Sequence, residues 1–119
     1  MARYTGPRAR VVRRLEFPVF ESPKFSNLRK NYAPGQHGQS ASKKKPSDFG
    51  IQLEAKQKLK AYYGNINERQ FRNIYKKASM QKGDTSENLI GLLERRLDAV
   101  VYRAKLSTTI FSARQLINH

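Results

Sequence analysis

Apolar positions recur at helical spacing only in the second part of the chain. Phe71, Ile74, Tyr75 and Ala78 stand at i, i+3, i+4 and i+7 and make the inward stripe of a helix. Asn67, with Gln70 three residues later, has capping-box spacing at its start, and Gly83 supplies its stop. Upstream, Ser47 can cap a helix whose first turn places Asp48 at the positive end of the helix dipole. That helix runs to Tyr63, where Gly64 is a natural left-handed stop. Downstream, Asp84 and Glu87 repeat the box spacing. They open a segment over 87–103 with Leu89, Leu93 and Leu97 at i+4 steps, followed by Val100 and Val101. A break near 105–108 precedes a last short helix, capped by Thr108 or Thr109. No period-two alternation marks a strand. Any sheet for the late helices to pack against lies beyond residue 119.

Residues 1–46 show no such pattern. All five prolines fall there, at Pro7, Pro18, Pro23, Pro34 and Pro46. The segment carries 11 cations against 2 acids, 11 − 2 = +9, with few large apolar residues. Low apolar content with high net charge buries too little surface to offset chain entropy. The expected organisation is therefore mostly α: a basic, irregular arm over 1–46, a helical region over 47–86, and a further helical module over 87–119.

Charge narrows the function. Lys and Arg number 24 and Asp and Glu 9 in 119 residues, a formal net charge of +15. A balance this basic on so short a chain points to a polyanion, either nucleic acid or an acidic membrane surface. With no cysteine, disulfides, thiolate zinc sites and a cysteine nucleophile are excluded within this chain. The start lacks the apolar run of a secretory signal, and no stretch approaches the roughly 18 apolar residues of a spanning helix. The two histidines, His37 and His119, belong to no Ser/His/Asp spacing or metal cluster. No enzyme activity, cofactor or metal is expected. Glu94 and Asp98, at i+4 beside Arg95 and Arg96, read as surface ion-pair partners.

Three basic features carry the binding chemistry. The first is Arg3, Arg8, Arg10, Arg13 and Arg14, interleaved with Tyr4. The planar fork of arginine suits phosphate oxygens, and its face stacks on unpaired bases. A membrane anchor would pair such a cluster with an apolar helical face or a lipidation site, and residue two is Ala2 rather than a myristoylation glycine. The second is the loop Pro34-Gly35-Gln36-His37-Gly38-Gln39 followed by Lys43, Lys44 and Lys45. Its glycines allow close backbone approach to a ligand, although the Gly-Lys-Ser/Thr ending of a phosphate-binding Walker loop is missing. The third is the helix face of Arg69, Arg72 and Lys76 at i, i+3 and i+7, set round from the apolar stripe. Lys56 and Lys60 share a less distinct face one helix earlier.

Longer blocks then fall into order. Met1-Ala-Arg-Tyr-Thr-Gly-Pro, Pro34-Gly-Gln-His-Gly-Gln, Ser47-Asp-Phe-Gly-Ile-Gln-Leu-Glu-Ala-Lys-Gln-Lys-Leu and Glu68-Arg-Gln-Phe-Arg-Asn are followed by three more. These are Glu87-Asn-Leu-Ile-Gly-Leu-Leu-Glu, Arg96-Leu-Asp-Ala-Val-Val-Tyr-Arg and Ala113-Arg-Gln-Leu-Ile-Asn-His. The chain resembles the bacterial-type small-subunit ribosomal protein S-four family over almost its whole length. The resemblance implies a structural protein that binds small-subunit rRNA directly, early in assembly, at a multi-helix junction of the 5′ domain. It implies neighbouring small-subunit ribosomal proteins as partners, the chain's own mRNA as a further one, and no membrane. The location it implies is a bacterial cytoplasmic ribosome or an organellar one. From about Leu89 onward the chain resembles the opening helices of the family's RNA-binding module. That adds Arg96, Arg103, Arg114 and Gln115 to the expected RNA contacts. The rivals are the targeting fragment of an RNA-modifying enzyme and a polybasic membrane-surface protein.

Three departures from the family pattern matter. Some relatives hold zinc with four cysteines in the arm, the first two at the positions of Ala9 and Val12, so here the arm is expected to be fixed by RNA. The module usually has glycine near Lys105 and arginine near Ile110. Relatives also continue beyond Asn118-His119 into a β-rich segment. The chain is thus expected to be a fragment or a truncated product, or to have its remainder elsewhere, with its late helices lacking their sheet.

Overall fold

The structure, a computed structural model, describes residues 3–40 and 44–119. Among these there are six α-helices and no strand. They are α1 (Arg8–Leu15), α2 (Asp48–Tyr62), α3 (Glu68–Met80), α4 (Thr85–Glu94), α5 (Leu97–Arg103) and α6 (Ile110–Asn118). A short 3-10 turn spans Pro23–Phe25. The helices belong to two compact units. Residues 5–62 form one; residues 63–119 form the other, together with Arg3 and Tyr4.

Local chemistry sets most helix ends. The Ser47 hydroxyl accepts from the Gly50 N–H at 3.2 Å and opens α2. Asn67 caps α3 by accepting from the Arg69 N–H at 2.9 Å, without a reciprocal bond from Gln70. Asp84 caps α4 through the Ser86 N–H at 3.3 Å. Thr109, not Thr108, caps α6, in a capping box completed by the Ser112 hydroxyl rather than by an acidic side chain. The expected continuous segment over 87–103 is two helices, because Arg96 leaves helical geometry with ψ of 140°.

The unit of residues 5–62 holds the main departure from expectation. The arm contains a helix. α1 packs on α2, and Val12, Leu15, Val19 and Phe20 are buried. The ring of Phe25 meets Phe20 edge-on at 5.7 Å. Arg13 donates to the carbonyls of Tyr32 (3.0 Å) and Ala33 (3.3 Å), and its guanidinium lies 4.9 Å from the centre of the Tyr32 ring. The arm is therefore held by apolar burial and a backbone clamp within this chain. The expectation that only RNA contacts fix it is corrected.

In the second unit α3 packs on α4 and α5 on α6. Phe71, Ala78, Leu93, Ala99, Ile110, Phe111 and Ala113 are buried. Tyr75, expected to face inward, is half exposed, because it lies at the edge of the stripe centred on Phe71 and Ala78. The Asn88 amide reaches the carbonyls of Ala78 (3.4 Å) and Lys82 (3.3 Å), satisfying acceptors at the end of α3.

The centre of this unit is ionic. Arg114, 2% exposed, donates to Asp98 Oδ2 from Nε at 3.0 Å and from Nη2 at 2.8 Å. Nη1 donates to the Gly64 carbonyl and Nη2 to the Tyr63 carbonyl, both at 2.8 Å. One guanidinium thus ties α6 to α5 and to the turn before α3. Gly64, at φ +78°, provides room for it: a Cβ there would lie 2.9 Å from Arg114 Nη2.

Candidate nucleic-acid interface

α3 presents the clearest cationic surface. Phe71 and Ala78 fix its buried side, so the 3.6-residue repeat turns Arg69, Arg72 and Lys76 to the opposite side, where all three are exposed. Among the described residues none of the three has an ion-pair partner. Lys77, also exposed, widens the patch. It was legible from its place beside Lys76, yet falls outside the i, i+3, i+7 series.

Two acids of the same unit, Glu94 and Asp98, are occupied elsewhere. Glu94 accepts from Arg103 at 3.1 Å and from the Tyr63 hydroxyl at 2.7 Å. The bond from Arg103 outweighs burial and, with that from Tyr63, holds the Glu94 carboxyl below its ordinary pKa. Asp98 is completely buried between Arg96 (3.0 Å) and Arg114. Burial pushes its pKa up, but the hydrogen bonds and charges of the two arginines together bring it below the ordinary value. Asp98 is therefore an internal anchor, not the surface partner its spacing suggested.

These pairings revise the expected contact residues. Arg114 is corrected outright: it is buried, and its donors are spent on Asp98, Gly64 and Tyr63. Lys60 is also buried, at 7% exposure, and offers no surface. Arg96 and Arg103 are engaged with Asp98 and Glu94, while Gln115 stands exposed on α6. Lys56 is half-buried.

In the other unit, α1 turns Arg10 and Arg14 outward and Arg8 is exposed at its start, whereas Arg13 is the clamp described above. Arg3 is exposed, and Tyr4, which belongs to the second unit, sets its ring 6.4 Å from Phe111. Gln36 and His37 sit exposed in a turn where Gly35 has φ +108°. A Cβ at Gly38 would overlap the Ala33 carbonyl. Lys44 and Lys45 are exposed, and Lys43 lies outside the described residues. Lys24, Arg29 and Lys30 are exposed cations that the sequence reading passed over, since no periodicity singles them out. No group of three metal-ligating side chains occurs among the described residues, and no helix there is long and apolar enough to cross a membrane.

Helices alone among the described residues, a net charge of +15 and an outward cationic face on α3 without carboxylate partners there define a basic α-helical protein. Comparison with known proteins specifies the family: residues 3–94 match the ribosomal protein S4/S9 N-terminal domain, and the chain belongs to that family. It is 66% identical over all 119 residues to the small ribosomal subunit protein uS4 of Pelagibacter ubique. Identity is 60% to the protein of that name from Bradyrhizobium diazoefficiens and 57% to that from Dinoroseobacter shibae, again over the whole chain. The chain spans 57–58% of the length of these curated relatives.

Proposed function

We propose that this chain is a structural constituent of the small ribosomal subunit that binds small-subunit rRNA directly and helps nucleate subunit assembly. The observation that carries the reading is the outward face of α3. Arg69, Arg72 and Lys76 stand together without carboxylate partners among the described residues, on a helix whose other side is anchored by Phe71. Such a face tracks a phosphate strand, while α1 and the 34–40 turn supply further contacts. The role is structural, not catalytic. The family and the names of the relatives support the same reading. It extends to neighbouring small-subunit proteins as partners, to the chain's own mRNA, and to the ribosome of the cytoplasm as the location.

The test is the affinity of the purified chain for small-subunit rRNA over a range of salt concentrations. Each neutralised phosphate contributes about −0.9 to the slope of log affinity against log salt on duplex and about −0.7 on single strands. Three contacts from α3 alone give about −2 to −3, and the other cations add to it. Affinity independent of salt would contradict the proposal.

A further inference from the structure

One cavity has no part in the reading above. It lies within the unit of residues 5–62, between the end of α1 with Phe17–Pro18 and the chain from Phe25 to Asn31, and has a volume of about 320 Å³. That is near the lower bound of small-ligand pockets, roughly 300–1,000 Å³, and suits a single nucleotide. Its lining combines two kinds of surface. Phe17, 52% exposed, and Phe25, held in place by the buried Phe20, are flat apolar walls. Asn27, Lys30 and Asn31 are exposed at the cavity, and their side chains have no hydrogen-bond or ion-pair partner among the described residues.

This combination discriminates among ligands. A free phosphate would leave both rings and the amide oxygens of Asn27 and Asn31 unused. A duplex is too wide to enter. An unstacked base uses the whole set: its face lies on an aromatic ring, its polar edge meets amides that both donate and accept, and its phosphate meets an ammonium. The excess of 11 cations over 2 acids in residues 1–46 selects a polyanion over an apolar peptide as the source of the occupant. We infer that this cavity binds one unpaired RNA nucleotide, with its base against Phe17 and Phe25, its edge read by Asn27 and Asn31, and its phosphate at Lys30. The inference rests on the rRNA binding proposed above and adds a base-reading site to a phosphate-tracking face.

The test measures small-subunit rRNA affinity at several salt concentrations for the full chain and its variants, with far-UV circular dichroism reporting the fold. Asn27→Ala/Asn31→Ala removes two exposed amides. It is expected to lower affinity about tenfold, the scale of one amide–base contact, and to leave the salt slope unchanged. Phe17→Ala is expected to lower it roughly 5- to 100-fold through lost stacking, and Lys30→Ala to reduce the slope by about one unit. If the amide variant and Phe17→Ala keep wild-type affinity and slope while Arg72→Ala still weakens binding, the cavity is not a base site and the rRNA reading stands. If Phe17→Ala lowers stability without changing the affinity of the folded fraction, and the amide variant binds as wild type, the cavity is structural and the inference is overturned. If the wild-type chain shows no salt-dependent rRNA binding, both readings fall together.

Discussion

Replacing Arg114 by methionine should unfold the second unit rather than weaken its RNA contacts. The substitution keeps apolar bulk but removes four hydrogen bonds of 2.8–3.0 Å. It leaves the carbonyls of Tyr63 and Gly64 without that donor, and Asp98, fully buried, with Arg96 as its remaining arginine partner. Deleting one partner of a buried ion pair costs about 3–5 kcal/mol, because the other charge stays buried and under-compensated. Against a total stability of about 5–15 kcal/mol for a domain, that is a large share. For a unit of this size even 3 kcal/mol corresponds to a fall in Tm of roughly 12–24 °C. The assay is urea unfolding followed by far-UV circular dichroism, run as a double-mutant cycle with Asp98→Asn. A coupling of about 0.5–3 kcal/mol is expected for groups in direct contact. If Arg114→Met unfolds within about 0.5 kcal/mol of wild type while its rRNA affinity and salt slope both fall, Arg114 is an RNA contact. The ionic hub would then be wrong.

Further outcomes follow from the same packing. Asp98 holds its proton less tightly folded than unfolded, so its contribution is full above the unfolded pKa of ~3.9 and is lost as pH falls through the lower folded value; urea midpoints measured between pH 6 and pH 3 should decline most steeply below about pH 4, and less so in Asp98→Asn. Gly64→Ala should destabilise by about 1–2 kcal/mol or more in thermal unfolding, since alanine is strained at φ +78° and its Cβ would crowd Arg114 and Ile110. Phe71→Ala should cost about 3–5 kcal/mol in the same assay, because the ring is 6% exposed under α3. The folded fraction of that variant should keep its salt slope.

What the sequence disclosed was local. Asn67, Asp84, Thr109 and Gly64 act within a few residues of themselves, so those helix ends could be placed from composition and spacing alone, whereas α3 ends at Met80 with an extended Gln81 before the expected stop at Gly83 is reached. The α3 face was legible for the same reason: Phe71 and Ala78 determine one side and the helical repeat determines the other. Arg114 was illegible, because what separates a buried anchor from a surface contact is Asp98 sixteen residues away and carbonyls fifty and fifty-one residues away. α1 was missed because only Val12 and Leu15 mark its buried side, among arginines, and Pro7 provides no side-chain cap. Arg13 looked like its neighbours, yet it is clamped to Tyr32 and Ala33 through the tertiary fold. The cavity leaves no mark in the sequence, because its aromatic and amide residues follow no repeat.

The most direct test of the central claim compares rRNA binding by the wild-type chain and by Arg69→Ala/Arg72→Ala/Lys76→Ala across salt concentrations. These exposed side chains have no ion-pair partner among the described residues, so the triple variant should unfold within about 0.5 kcal/mol of wild type for each change. Its salt slope should be shallower by about two to three units, one for each lost phosphate contact. A triple variant that folds as wild type and binds small-subunit rRNA with the same slope and affinity would show that α3 does not carry the interface.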